Sequence, residues 1–286
     1  MIGLYLLLKK REVITLAKKL RADEFLVRHA LADDIVHARA LIMSGVVYIG
    51  EQRCDTSGQM LDEGTYVEVR DKSRKYVSRG GLKLEKALSE FGLDLNGVVA
   101  MDIGASTGGF TDCMLINGAK KVYSVDVGYG QLAWKLRSDS RVVNMERTNV
   151  RFLSAENLDE MIDFISVDVS FISLALILPV MRDIMSQNGE AVVLVKPQFE
   201  AKRDQVGDKG VVTDRDVHTE VIKNCIDYAT KNNFDVCALT YSPIKGPEGN
   251  IEYLMHLQRG DGSVKINEDE ILKAVNESHE AVLTRH

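Results

Sequence analysis

Four cysteines in 286 residues cannot build a disulfide framework when they are as scattered as Cys54, Cys113, Cys225 and Cys237. They form no C-x-x-C pair and adjoin no pair of histidines, which argues against a zinc site and for reduced thiols in a cytoplasmic protein; no metal is expected. Long apolar runs are missing too. The longest, Phe171 to Met181, is interrupted by Ser173 and Pro179 and is too short to cross a bilayer, so no stable membrane association is expected. The opening MIGLYLLL meets Lys9, Lys10 and Arg11 without a small-residue cleavage site and does not read as a secretory signal. Both common phosphate-binding signatures, G-x-G-x-x-G and G-x-x-x-x-G-K-[ST], are absent from the glycine-rich turn described next, which removes support from dinucleotide and P-loop readings.

What is present begins with MDIGASTGGFTD, from Met101 to Asp112. It closes an apolar run and opens a helical pattern, so its small residues let backbone approach a ligand beside the free N–H groups of a helix start. The spacing G-x-x-x-G-G suits S-adenosylmethionine, which carries no phosphate. Asp102 stands where it can face the amino-acid end of that cofactor or order the loop, and Gly104, Ser106, Gly108, Gly109 and Phe110 line the turn. A second apolar run, Val122 to Val127, puts Asp126 at its end, 22 residues beyond Gly104, in the place of an acid that holds two ribose hydroxyls. The alternative is that Asp126 merely begins a loop.

With 45% hydrophobic residues the chain can bury a large core, and its length suggests one large domain and one small one. Charge divides unevenly. Residues 1–80 hold 14 Lys and Arg against 11 Asp and Glu, whereas the whole chain is at −6. Lys72, Arg74, Lys75 and Arg79 cluster at the junction, either as a nucleic-acid contact or as a solvated linker. Before them, Asp23 can cap a short helix carrying Phe25, Leu26 and Leu31. Asp33 or Asp34 can cap a second, with Ile35, Ala38, Leu41 and Ile42, ended by Gly45. Strand-like runs follow at Val46–Ile49 and Tyr66–Val69. This pattern resembles the S4 RNA-binding domain over residues 21–71. It departs from it at Asp34–Ile35 and Ile49–Gly50, and leaves Arg21, Arg28 and Arg39 as phosphate contacts; a small packing domain is the alternative.

From Gly97 onward, strand candidates at Val98–Ile103, Val122–Val127, Val142–Met145, Phe164–Val169, Ala191–Val195, Phe234–Tyr241 and Ile251–Leu257 alternate with helical stretches, clearest at Leu174–Met185 and Asp214–Ala229. This predicts an α/β fold, a mostly parallel sheet covered on both faces, with the last strand returning antiparallel. It resembles the seven-stranded Rossmann-like sheet of class I methyltransferases. Four charged residues stand where charge is costly: Lys83 after SRGG, Asp168 ending FISVDVS, Lys196 ending AVVLVK, and Glu252 inside the final strand. Singly, each has a structural explanation as a cap, a strand end or an edge residue.

YVSRGGLKLEKAL, MDIGASTGGFTDC, VDVGYGQL, DVSFISL, LVKPQFE, GVV and SPIKGPEGNIEYL, in this order, resemble the TlyA family of haemolysins A and 16S/23S ribosomal RNA cytidine-2′-O-methyltransferases. The second half is similar to FtsJ-like (RrmJ-type) methyltransferases. The resemblance implies a Lys83–Asp168–Lys196–Glu252 tetrad, Asn149 and Asp168 near S-adenosylmethionine, and ribosomal RNA or ribosomal subunits as partner. The implied division is an extension at 1–20, the S4-like domain at 21–71, a basic linker at 72–80, the methyltransferase domain at 81–260 and a polar tail at 261–286. Ribose 2′-O-methylation needs in-line positioning and removal of a weakly acidic proton. Lys196 is expected to accept that proton, Lys83 and Asp168 to orient, and Glu252 to support them; burial and a neighbouring cation favour a neutral lysine, while the acids oppose it. A membrane-active toxin and a non-catalytic RNA-binding protein are the rival readings.

Overall fold

The computed structural model describes residues 19–29, 31–32, 34–70 and 75–283. The N-terminal part runs β1 (Leu20–Arg21), α1 (Ala22–Arg28), α2 (Ile35–Met43), β2 (Val47–Ile49), β3 (Gln52–Arg53), β4 (Met60–Leu61) and β5 (Val67–Val69). Leu26, Leu31, Ala38, Leu41, Ile42 and Val47 close a small core of their own. Asp34 caps α2 by accepting from the His37 amide at 2.7 Å, and Gly45 (φ +72°) follows its end. The expected cap at Asp23 is corrected: Asp23 lies inside α1, whose cap position is Arg21. Its carboxylate is fully buried and bridges Arg21 and Arg39 instead. Asp33, the other cap candidate, lies outside the described residues, as do Lys72, Arg74 and residues 1–18.

The second part contains α3 (Gly80–Phe91), β6 (Val99–Ile103), α4 (Gly109–Ile116), β7 (Lys121–Val125), α5 (Trp134–Arg137), β8 (Val142–Met145), β9 (Ile162–Val167), α6 (Leu178–Ile184), β10 (Met185–Val195), α7 (Pro197–Glu200), α8 (Arg215–Lys231), β11 (Phe234–Tyr241), β12 (Tyr253–Arg259) and α9 (Glu268–Leu283). Seven strands form one sheet in the order β11-β12-β10-β9-β6-β7-β8. All pairings are parallel except those of β12, which runs against both neighbours. The expected α/β architecture is observed. No described helix is long and apolar enough to cross a membrane, and all four cysteines are free thiols.

Strand periodicity explains where the site lies. In β6, β9, β10 and β12 the odd-numbered residues Met101, Ile165, Val193 and Met255 face the core shared with α6 and α8. The even-numbered Ala100, Phe164, Val192, Leu194 and Leu254 face the core shared with α3 and α4. Extending the same alternation past the strand ends brings Asp168, Lys196 and Glu252 to the α3 face.

Several boundaries differ from expectation, three of them beyond a shift of strand ends. The helix over Leu174–Met185 is a 3₁₀ turn at Leu174–Leu176 followed by α6, with Pro179 in the first turn, where its missing N–H costs nothing. The linker is not solvated to its end: Tyr76 is buried among Leu84, Phe110 and Cys113, and the Val77 amide donates to Asp112 Oδ2 at 2.9 Å. The segment read as a polar tail forms α9, whose Ile271, Ala274 and Val275 are buried at the spacing of an amphipathic helix, its polar residues making up the outer face.

Candidate active site

Lys83 belongs to the buried stripe of α3, with Leu84, Ala87 and Leu88. It reaches the site because α3 and α4 meet through glycines. A Cβ on Gly109 would lie 2.3 Å from Ser78 Oγ and 2.9 Å from the Gly81 nitrogen. From this close contact Lys83 Nζ donates to Glu252 Oε2 at 2.7 Å and to Asp168 Oδ2 at 3.2 Å. Lys196 Nζ lies 2.5 Å from Asp168 Oδ1 and 3.3 Å from Ser170 Oγ. The four side chains therefore form a line of alternating charge, Lys196–Asp168–Lys83–Glu252. Both lysines are 6% exposed and Glu252 is 1% exposed.

Burial alone depresses the Lys83 ammonium, but the carboxylates of Asp168 and Glu252 outweigh it and hold Lys83 above the ordinary lysine range. Burial raises Asp168; Lys196 and Lys83 more than reverse this and keep it ionised, below its usual value. The expected proximity of two lysines is thus modified, since Asp168 lies between them. Glu252 is corrected by one step. It precedes β12 rather than lying inside it, because the chain closes a turn through the Gly246 amide and the Asn250 carbonyl at 2.9 Å before the strand begins. A Cβ on Gly246 would lie 2.3 Å from Glu252 Oε1.

Beside the tetrad is the glycine-rich turn. Asp102 is buried and turned onto α4: its Oδ2 accepts from the Thr111 amide at 2.8 Å and from Thr111 Oγ1 at 2.7 Å. It orders the loop, and burial pushes its carboxyl up to about 7 despite these bonds. Gly104 (φ +89°) has its absent Cβ aimed 2.4 Å from the Asp168 carbonyl oxygen, so it lets the β6 and β9 loops touch. Gly108 (φ +95°) packs against Leu132 and Leu136, and Phe110 is in the core. Ser106 and Asp126 are joined: Asp126 Oδ2 accepts from the Ser106 amide at 2.8 Å and Oδ1 from the Gly128 amide at 2.7 Å. Asn149, exposed, caps the turn after β8 by accepting from the Arg151 amide at 3.1 Å.

The expected phosphate contacts are distributed differently. Arg21 and Arg39 grip Asp23 at 3.0 and 2.9 Å, Arg28 pairs with Glu63 at 2.9 Å, and Lys75 pairs with Glu85. Arg79 reaches the Ala32 carbonyl at 3.2 Å and ties the N-terminal domain to α3. The Trp134 amide, donating to Tyr66 Oη at 2.9 Å, makes a second tie. Three residues that sequence reasoning did not single out also border the site. Ser170 touches Lys196, Phe171 is 88% exposed, and its ring lies 4.9 Å from that of Phe199. Ser170 and Phe171 stand within DVSFISL and Phe199 within LVKPQFE, so the motifs themselves held the signal.

The model of the FtsJ-like methyltransferase family matches residues 76–259. A Bacillus subtilis protein, YqxC, named as a candidate rRNA methyltransferase, is 47% identical over 93% of this chain and 96% of its own length. The 16S/23S rRNA (cytidine-2′-O)-methyltransferase TlyA of Mycobacterium tuberculosis is 40% identical over 92% of this chain and 99% of its own. A solved structure from Streptococcus thermophilus, described as a candidate hemolysin, superposes with a TM-score of 0.79 at 43% identity, covering 93% of this chain and 97% of the other. With the family model spanning most of the second part and relatives of this identity matched over nearly their whole length, the chain belongs to the FtsJ-like methyltransferase family and, within it, to the TlyA group.

Proposed function

We propose that this protein methylates a ribose 2′-hydroxyl of a cytidine in 16S or 23S ribosomal RNA, using S-adenosylmethionine, in the cytoplasm. The observation that carries the reading is the buried line Lys196–Asp168–Lys83–Glu252, which holds two lysines in different roles. Lys83, gripped by two carboxylates at 2.7 and 3.2 Å, stays protonated and orients. Lys196, held on one side by Asp168 at 2.5 Å, is left to accept the hydroxyl proton. Glu252 fixes Lys83, and Asp168 fixes both lysines.

The residues present fit the cofactor. Between Gly104 and Gly109 no side chain exceeds threonine. Each oxygen of the half-buried Asp126 carboxylate accepts one backbone N–H, which leaves acceptor capacity for two ribose hydroxyls. Asn149 adds an exposed amide near the same strand ends. S-adenosylmethionine, when bound, supplies an electrophilic methyl group. Asp102, Gly104 and Gly108 shape its loop from behind. Phe171 beside Phe199 offers a face on which an unstacked base rests. Arg21, Arg28 and Arg39, each about half exposed beside its carboxylate, together with Lys72, Arg74, Lys75 and Arg79, supply the phosphate contacts of an S4-like module to naked RNA or an assembled subunit.

The test is incubation of the purified chain with methyl-labelled S-adenosylmethionine and ribosomal RNA or subunits from cells lacking this protein, followed by mapping of 2′-O-methyl sites. Label on a cytidine ribose is expected. Label on a base, or none on either substrate, would sink the proposal.

A further inference from the structure

LVKPQFE ends in a glutamate that the tetrad does not use. Glu200 is the last residue of α7, the short helix that starts immediately after Lys196. Both of its oxygens are spent on the loop that follows Asp168: Oε2 accepts from Ser173 Oγ at 2.7 Å and Oε1 from the Leu174 amide at 2.7 Å. One carboxylate thus joins the loop carrying Asp168 and Ser170 to the segment carrying Lys196 and Phe199. Burial pushes its carboxyl above the ordinary value in spite of these two bonds, so keeping a charge there carries a cost.

The gripped loop is strained. Phe171 adopts φ +62°, a left-handed conformation that is unfavourable for a bulky residue and persists only where the surroundings impose it. On either side of it, Ser170 lies 3.3 Å from Lys196 Nζ and the Phe171 ring lies 4.9 Å from Phe199. A free loop would relax, and both contacts would open.

We propose that Glu200 is a positioning residue for methyl transfer: by gripping Ser173 and Leu174 from the end of α7 it sets the separation of the two loops, and so the direction in which Lys196 faces the ribose hydroxyl. The inference rests on the functional reading above. Glu200 acts through Ser170, Phe171 and Lys196, and requires no contact of its own with cofactor or RNA.

The experiment compares parent, Lys196→Ala, Glu200→Gln, Ser173→Ala and the Ser173→Ala/Glu200→Gln double variant in single-turnover methylation of ribosomal RNA. Cofactor affinity by calorimetry and the melting temperature are measured alongside. Glutamine keeps the size of Glu200 and one acceptor oxygen, so the chain should fold. The maximal rate of Glu200→Gln should fall on the order of 10- to 100-fold, because small misplacements of reacting groups are that costly. The RNA concentration at half-maximal rate and the cofactor affinity should stay within about twofold, as befits an interaction that matters only in the transition state. The double variant should be hardly slower than Glu200→Gln alone, since both changes break one coupled contact. Glu200→Asp, with both oxygens retained, should recover part of the rate.

A rate equal to the parent's in Glu200→Gln overturns the proposal, as does a loss that tracks cofactor affinity or melting temperature, which would mark a merely structural role. A parent that methylates no RNA overturns the functional reading and this one with it. A parent that methylates, with Lys196→Ala inactive and Glu200→Gln fully active, overturns this one alone.

Discussion

Asp23 in the N-terminal domain and Asp168 in the methyltransferase domain each stand between two cations, yet the two bridges are built for different ends. Asp23 is flanked by Arg21 and Arg39, whose side chains are 41% and 53% exposed. Asp168 is flanked by Lys83 and Lys196, whose side chains are each 8% exposed. Arginine keeps its proton under all ordinary conditions and presents spare N–H donors to solvent, so the first bridge braces a small domain while leaving positive charge on its surface. Lysine, unlike arginine, can give up its proton, and under the proposed function the second bridge takes part in proton transfer. The same three-residue geometry becomes, on that proposal, a brace or a reaction centre through the choice of cation and the depth at which it lies.

The sharpest way to break this contrast is to exchange the cations. Lys196→Ala should lower the single-turnover methylation rate by roughly 10²- to 10⁴-fold with cofactor binding retained, the usual loss for a general base. Lys196→Arg should not restore it, because arginine retains charge but accepts no proton. Substantial activity in the arginine variant would make Lys196 a clamp, like its counterparts around Asp23.

Next in size is the backbone that supports Asp168. Gly104→Ala places a methyl group against the Asp168 carbonyl, in a left-handed conformation, so a loss of about 1–3 kcal/mol in unfolding free energy is expected together with loss of methylation. Denaturant titration of an unperturbed, equally stable variant would show that the two loops do not touch as described.

Smaller again is the response to pH. The Asp168 carboxyl stands below its usual value, so its contribution is present above about pH 3.9, the unfolded value, and is lost as pH falls through the folded one. Lys83 stands above the lysine range, so its contribution is present below about pH 10.4 and is lost as pH rises through the folded value. Asp102 has the opposite sign to Asp168. With its carboxyl raised to about 7, the folded state binds the proton more strongly than the unfolded one, and the contribution of Asp102 to stability should decline as pH rises from about 4 to 7. Asp102→Asn should flatten that part of the curve in denaturation experiments; an unchanged slope would assign it to another group.

The smallest effect is expected on the arginine side. Arg39→Lys keeps the charge beside Asp23 and should leave RNA affinity within about threefold. Arg39→Ala should lower the steepness of the salt dependence by about one ion. If the alanine variant kept the parental slope, Arg39 would be a brace only.

Much of this arrangement was legible in the residue order. The apolar runs ending in Asp168 and Lys196 identified strands, and the short proline-containing gap after Phe234–Tyr241 announced the reversed one. What stayed hidden was which side of a residue is used. Gly104 reads as room for a ligand, whereas its missing Cβ makes room for the Asp168 carbonyl. Asp102, for which the sequence left open a cofactor contact or an ordering of the loop, turns inward to Thr111, and Phe110, placed in the turn, packs into the α4 core. Such choices depend on packing between segments far apart in sequence, which local pattern does not encode. The helix at Glu268–Leu283 was within reach: Ile271, Ala274, Val275 and Ser278 repeat at helical spacing beneath an acidic surface.

The reversal of β12 also governs when the site comes into being. Because this strand runs against its neighbours, its beginning, not its end, lies beside Lys83, and the two partners are 169 positions apart. During synthesis the glycine-rich turn, Asp168 and Lys196 all emerge before Glu252. Until that residue arrives, Lys83 lacks the nearer of its two carboxylates and β10 has an open edge. A chain stopped short of Glu252 therefore carries the glycine-rich turn and three of the four charges without the fourth, and under the proposed function methylation waits until β12 has been reached.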